Sequence, residues 1–164
     1  MNNYSLIRKK PNQQGKTGLN KNKMDSVFKS QINEDISLIQ RDWGHLDNHL
    51  NKDEYAFNYW VISRLYDIDE ELIPDLITEY NDKSIDCYVH YEDAKELFII
   101  QNKFYNELTN VSRKEVNDFL QTPLICLNDN NYKKSNELQK LFNKIKTDPD
   151  YKIFLHFYVS NDKL

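Results

Sequence analysis

Ser84-Ile-Asp-Cys-Tyr-Val-His-Tyr91 and Glu96-Leu-Phe-Ile-Ile-Gln-Asn-Lys-Phe104 are the two stretches on which the fold turns. Both are rich in β-branched and aromatic residues. The polar tetrapeptide Glu92–Lys95 between them has the length of a hairpin loop, so two antiparallel strands are predicted. Pairing Tyr91 with Glu96 sets Asp86 opposite Gln101 and Ser84 opposite Lys103. Side chains alternate between the faces of a strand, so Asp86, Gln101 and Lys103 are expected on one face at one end of the hairpin. Ile85, Cys87, Val89, Phe98, Ile100 and Phe104 are expected on the other. A slip of one residue would scatter the polar group.

The flanking sequence is mostly helical. Phe28, Ile32, Ile36, Ile39 and Trp43 recur every three or four residues, predicting a helix over Asp25–Arg41 that Gly44 closes. Asn51 is a candidate N-cap, with Asp53 and Glu54 in the first turn of a second helix reaching Tyr66. That helix is apolar nearly all round, as a helix buried on more than one side would be. An acidic connector, Asp67–Asp75, leads to a possible short strand at Ile77–Tyr80. Beyond the hairpin, Ser112 and Glu115 form a capping-box signature for a helix expected to stop near Pro123. Another helix is predicted over Ser135–Lys146. The last run, Tyr151–Ser160, reads as a strand buried on both faces inside a sheet with parallel neighbours. The order predicts an α/β fold, a mixed sheet flanked by helices.

Composition bounds the function. The 164 residues suit one domain with its own core. The predicted organisation is a basic leader over 1–23, an N-terminal helical segment over 24–50 and a core over 51–164. Aromatic residues at 13% exclude a disordered chain, and a mean hydropathy of -0.81 argues against a membrane protein. No apolar run exceeds four residues, Leu97–Ile100 among them, which falls far short of the roughly 20 residues of a spanning helix. The polar, basic N-terminus lacks the apolar stretch of a signal peptide. Two cysteines, Cys87 and Cys126, make no disulfide framework, and a cytoplasmic location is expected. Arg8, Lys9 and Lys10 lie in the leader, which carries no acid; they read either as a solvated arm or as phosphate contacts to nucleic acid.

The chemistry is sought at the hairpin. Asp86 offers the hard anionic oxygen that Mg²⁺ prefers, Gln101 a neutral oxygen and Lys103 a cation. That set suits phosphodiester hydrolysis, in which a metal activates water and a lysine steadies developing charge. The same residues also suit a structural ion pair, and both readings stand at this point. His45 and His49 share a four-residue spacing without the glutamate of a zinc-protease motif. His156, among aromatics in the last strand, reads as a buried, hydrogen-bonded core histidine.

The stretch Asn81-Asp-Lys-Ser-Ile-Asp86, followed after fourteen residues by Gln101-Asn-Lys103, resembles the PD-(D/E)xK nuclease superfamily. More narrowly, it is similar to the N-terminal region of the AIPR (abortive phage infection) proteins. There an N-D-x-G-I-D turn leads into one strand and a Q-x-K triplet ends the next. The resemblance takes in Ala56-Phe-Asn-Tyr-Trp60 and covers Asn51 to Ser160. It implies a restriction-endonuclease-like α-β-β-β-α-β core and a Mg²⁺- or Mn²⁺-dependent endonuclease acting on nucleic acid, DNA first, in phage defence. It implies Asp86 as the metal-binding aspartate, Gln101 where many relatives have glutamate, and Lys103 as the motif lysine. The backbone carbonyl of Asn102 would be a further ligand, with Glu54, Glu79 or Asp82 supplementing the charge. Family members are usually longer, which implies a C-terminal effector segment beyond Leu164, and nucleases of this fold often act as homodimers. Tyr80 and Ser84 stand where relatives often have glycine, and Asn58 where related nucleases often carry glutamate. These departures keep a second reading open: a module of the same fold without catalysis, used for recognition or assembly.

Overall fold

The computed structural model describes residues 21–78, 84–105, 110–128 and 136–160. Glu79, Tyr80, Asp82 and the leader residues Arg8, Lys9 and Lys10 lie outside them.

The hairpin forms in the expected register. Strands β1 (Cys87–Tyr91) and β2 (Glu96–Lys103) pair antiparallel, with Tyr91 opposite Glu96 and Cys87 opposite Ile100. Lys95 closes the turn at φ 53°. Strand β3 (Lys152–Val159) lies parallel to β2, with Phe98 opposite Phe154 and Lys103 opposite Val159. The result is a three-stranded mixed sheet of order β1-β2-β3. The strand expected at Ile77–Tyr80 is reduced, among the described residues, to a single antiparallel bridge between Ile77 and Cys87. Strand β3 is not interior: it occupies the sheet edge opposite β1, and its residues after Lys152 are only partly buried. An apolar run on both faces is what a helix-covered edge needs as much as an interior strand.

Helices cover both faces. On one lie α1 (Lys21–Trp43), α2 (Asp53–Leu65) and the short α3 (Ile73–Leu76), which follows a 3₁₀ turn at Glu70–Leu72. Ile32 and Ile36 of α1 join Phe57, Tyr59, Val61 and Ile62 of α2 against Cys87, Val89 and Ile100. The indole of Trp60 donates to Asp35 at 2.9 Å and ties α1 to α2. Helix α1 is longer than predicted, and Phe28, expected on its apolar face, is exposed. On the other face lie α4 (Arg113–Asn128) and α5 (Asn136–Thr147). There Phe119, Cys126, Leu138, Leu141 and Phe142 pack on Tyr88, Leu97 and Ile99.

Three further expectations are corrected. Helix α4 does not stop at Pro123 but runs five residues past it, because burial of Phe119, Thr122 and Cys126 along one stripe outweighs the missing donor. Asn51 does not cap α2, whose N-cap is Lys52 without a side-chain bond. Instead its amide donates to the Gly44 carbonyl at 3.1 Å and to Asn48 Oδ1 at 3.0 Å. Ile85 packs with Tyr88, Leu97 and Ile99 rather than with Cys87, because the strand's alternation breaks ahead of Cys87.

Gly44 is the tightest point of the α1–α2 corner. A Cβ there would come within 2.3 Å of the Gln40 carbonyl oxygen and 2.4 Å of Asn51 Oδ1. One of these is backbone, so it cannot simply swing away. Gly44→Ala is expected to cost roughly 1–3 kcal/mol, the range of an overpacked site. Urea unfolding monitored by circular dichroism checks this, and an unchanged midpoint would refute it.

Candidate functional site

The polar cluster assembles where β1 begins and β2 ends. Just ahead of it Ser84 sits at φ 66°, in the left-handed region. The chain then departs from a regular ladder. The Asp86 N–H donates to the Ile100 carbonyl at 2.9 Å, although Ile100 is already the register partner of Cys87. Two consecutive residues thus address one, the arrangement of a β-bulge. The expected pairing of Asp86 opposite Gln101 is corrected by this one-residue irregularity. The Ile85 carbonyl turns aside to accept the Thr78 hydroxyl, and the Asp86 carbonyl accepts the Thr78 N–H at 2.9 Å. In place of a backbone acceptor, the Asn102 N–H meets Asp86 Oδ2 at 2.7 Å. A carboxylate therefore takes over a rung of the sheet.

Burial holds the Asp86 carboxyl above the usual carboxylate range, against the opposing pull of the Asn102 N–H and the nearby Lys103 ammonium. Gln101 and Lys103, two apart on β2, share a face as expected. Gln101 is 5% exposed, and its Oε1 is buried with no hydrogen-bond partner. Lys103 lies 3.6 Å from Glu115 Oε1. Glu115 is itself held by the capping box: Glu115 Oε2 accepts the Ser112 N–H at 3.1 Å and hydroxyl at 2.8 Å. The Ser112 hydroxyl bond is the main reason the Glu115 carboxyl sits below its ordinary range. The capping box was legible in sequence; its contact with Lys103 was not, because that depends on how α4 docks on the sheet.

On the opposite face, Asn102 Nδ2 donates to Asn58 Oδ1 at 2.9 Å, anchoring β2 to α2. Cys87 also points there, buried, with its thiol pushed up mainly by burial. Glu54 is exposed in the first turn of α2, across the sheet from Gln101 and Lys103. Glu79 and Asp82 lie outside the described residues. The two histidines at 45 and 49 do not share a helix: His49 pairs with Asp47 at 3.0 Å in a 3₁₀ turn. His156 is hydrogen-bonded, as expected, but only partly buried; its Nδ1 lies 2.6 Å from Tyr66 Oη and 3.1 Å from Tyr158 Oη.

Chemically, the oxygens at this strand end are of the hard kind that Mg²⁺ takes: Gln101 Oε1 has no hydrogen-bond partner, Asp86 offers a carboxyl group, and the Asn102 carbonyl lies on the edge of β2 that faces Asp86. Among the described residues no group of three His, Cys, Asp or Glu side chains is placed to hold a metal. A groove of about 480 Å³ lies elsewhere, between β1, α5 and the α3 region. Fold and site together define a helix-covered, mixed α/β domain with a partly buried carboxyl group at the sheet end. No family model, curated protein or solved structure matches the chain. Among the described residues, no helix is long and apolar enough to cross a membrane.

Two outcomes are expected. A left-handed φ costs a β-carbon-bearing residue about 1–2 kcal/mol, part of which glycine returns as chain entropy. Ser84→Gly should therefore stabilise the protein by up to roughly 1 kcal/mol in denaturant titration. For Asp86, the raised carboxyl favours the protonated form in the folded state. Its contribution is present at low pH and lost as pH rises through the shifted value. Asp86→Asn, which keeps an acceptor for the Asn102 N–H, should then be more stable than wild type at pH 7–8 (roughly 2–4 °C in Tm per kcal/mol relieved), and that advantage should vanish on acidification. A less stable variant at neutral pH would refute the cost assigned to the ionised carboxylate.

Proposed function

We propose that the chain is a Mg²⁺- or Mn²⁺-dependent nuclease of the PD-(D/E)xK kind, similar to the nuclease-like region of AIPR proteins and acting in defence against phage. The observation that carries the reading is the partly buried Asp86 carboxyl, raised in pKa by desolvation within the field of Lys103, with the partnerless Gln101 oxygen two residues from that lysine on the same strand face. A carboxyl group whose pKa burial displaces is a recurrent mark of a functional site. Asp86, the Gln101 side-chain oxygen and the Asn102 carbonyl would hold the cation. Such a cation supplies Lewis acidity toward a phosphate oxygen and lowers the pKa of bound water. Lys103 stabilises the charge that develops on the phosphoryl oxygens, and Asp86 orients the attacking water. Glu115 holds the Lys103 ammonium near the strand end until the substrate phosphate competes for it. Nucleic acid, DNA first, is the substrate class. Cys87 and Cys126, both buried and not joined in a disulfide, suit a reducing, cytoplasmic setting.

The second reading, a restriction-endonuclease-like module without catalysis, is favoured by two observations. Lys103 already has a carboxylate partner in Glu115, and the α2 position where related nucleases carry glutamate holds Asn58, whose amide oxygen is engaged by Asn102. Cleavage of plasmid, single-stranded DNA and RNA with Mg²⁺, Mn²⁺ or EDTA separates the two. The nuclease reading expects cation-dependent cutting, reduced on the order of 10²-fold or more by Asp86→Ala and by Lys103→Ala. It also expects a rise in Tm with added cation that Asp86→Ala removes. A folded wild type that neither cuts nor responds to cation selects the inactive module.

A further inference from the structure

Among the described residues, no strand pairs with the outer edge of β3. The Lys152 N–H donates to the Lys95 carbonyl and the Ser160 N–H to the Lys103 carbonyl, so even-numbered residues of β3 turn their backbone polar groups toward β2. By alternation, the N–H and C=O groups of Ile153, Leu155, Phe157 and Val159 point away from the sheet. Among the described residues no backbone bond to these groups is made on that side. Exposed edges are ordinarily protected by a charge, a proline or a bulge. From Ile153 to Val159 there is no charged residue, no proline and no glycine. The opposite edge differs: β1 is shielded at its start by the Ile77 bridge and by α3.

The sequence of this edge says what fits it. Read outward from His156, the strand has the same chemistry in both directions. Leu155 and Phe157 flank it, then Phe154 and Tyr158, then Ile153 and Val159. A two-fold axis through His156 would set Phe154 against Tyr158 of a second strand, Leu155 against Phe157 and Ile153 against Val159. Phe154–Tyr158 is an aromatic pair and Ile153–Val159 a β-branched one, kinds that stabilise antiparallel strands, and Leu155–Phe157 is apolar. Lys152 would face the neutral Ser160, so no like charges meet. Closed two-fold symmetry requires the antiparallel direction.

We propose that β3 pairs with β3 of a second copy of this chain, antiparallel about His156, joining two three-stranded sheets into one of six strands. The outward groups of Leu155 and Phe157 form the central hydrogen-bonded pair. His156 and its counterpart then face each other at a non-hydrogen-bonded position, where Cα atoms lie about 4.5 Å apart. Burial holds the His156 imidazole below its ordinary pKa, so the facing rings are neutral at pH 7. The interface is independent of the chemistry at Asp86, which lies at the far edge of the sheet.

The test uses the full chain. Sedimentation equilibrium should give twice the 19.7 kDa of one chain at micromolar concentration. Under mild oxidation, His156→Cys should form a covalent dimer, because the pair's Cα separation falls within disulfide range. Phe154→Cys and Tyr158→Cys should each stay uncrosslinked alone and crosslink when mixed, with folding of every variant checked by circular dichroism. The native thiols, Cys87 and Cys126, are buried. A monomer at every concentration would overturn the proposal, and so would a dimer in which folded variants fail to crosslink in this pattern.

Discussion

Strand β2 carries hydrogen bonds on both edges and apolar side chains on both faces, and every other element is placed by reference to it. Leu97, Ile99 and Ile100 are fully buried, two toward α4 and α5 and one toward α1 and α2. Both hydrophobic clusters therefore meet across a single layer of backbone. Neither cluster has a separate scaffold, and disturbing β2 exposes both. The end of this strand is also where the polar side chains gather. Rigid backbone on either side is what holds a small polar group in a fixed arrangement.

That arrangement is built at the expense of regularity. A regular ladder would have met the Asn102 N–H with the Ile85 carbonyl. The bulge at Asp86 instead brings in a carboxylate and sends the carbonyl to Thr78. Bulges commonly re-aim a side chain beside a functional site. Here the irregularity draws a carboxyl group partly out of water, and Lys103, the cation that acts on it, is shared with a second acid. The charges form a chain from the sheet to the first turn of α4: Asp86, Lys103, Glu115, then the Ser112 cap. Moving α4 by one turn would alter the electrostatics of Asp86 without touching it.

The hairpin register, the face shared by Gln101 and Lys103 and the capping box at Ser112 were legible in the sequence, because each rests on local spacing. What the sequence left open was decided by tertiary context. The bulge at Asp86 follows a left-handed Ser84, a conformation that residue type does not advertise. Pro123 reads as a stop until the buried stripe running past it is known. Asn51 has the chemistry of a cap, yet the approach of Gly44 gives its amide a different carbonyl. An apolar run such as Ile153–Val159 suits an interior strand and an edge strand equally, since burial by helices does not depend on neighbours within the sheet. Glu115 was visible as a capping acid and invisible as the partner of Lys103.

The loop end of the hairpin has a consequence for the order in which the chain assembles. Lys95 offers its carbonyl to the Lys152 N–H and its ammonium to Asp148 at 3.0 Å and Asp150 at 3.1 Å. One turn residue thus receives the start of β3 from more than fifty positions downstream. The β1–β2 pair is local and closes quickly, whereas the β2–β3 pair must wait for the whole α4–α5 connection. During synthesis, β1, α1 and α2 have all emerged while one edge of β2 still lacks its strand. In that interval β2, which the finished fold packs on both faces, presents a bare row of donors and acceptors to its surroundings. The nascent chain is then at its most vulnerable to wrong pairing, until the final residues of β3 leave the ribosome.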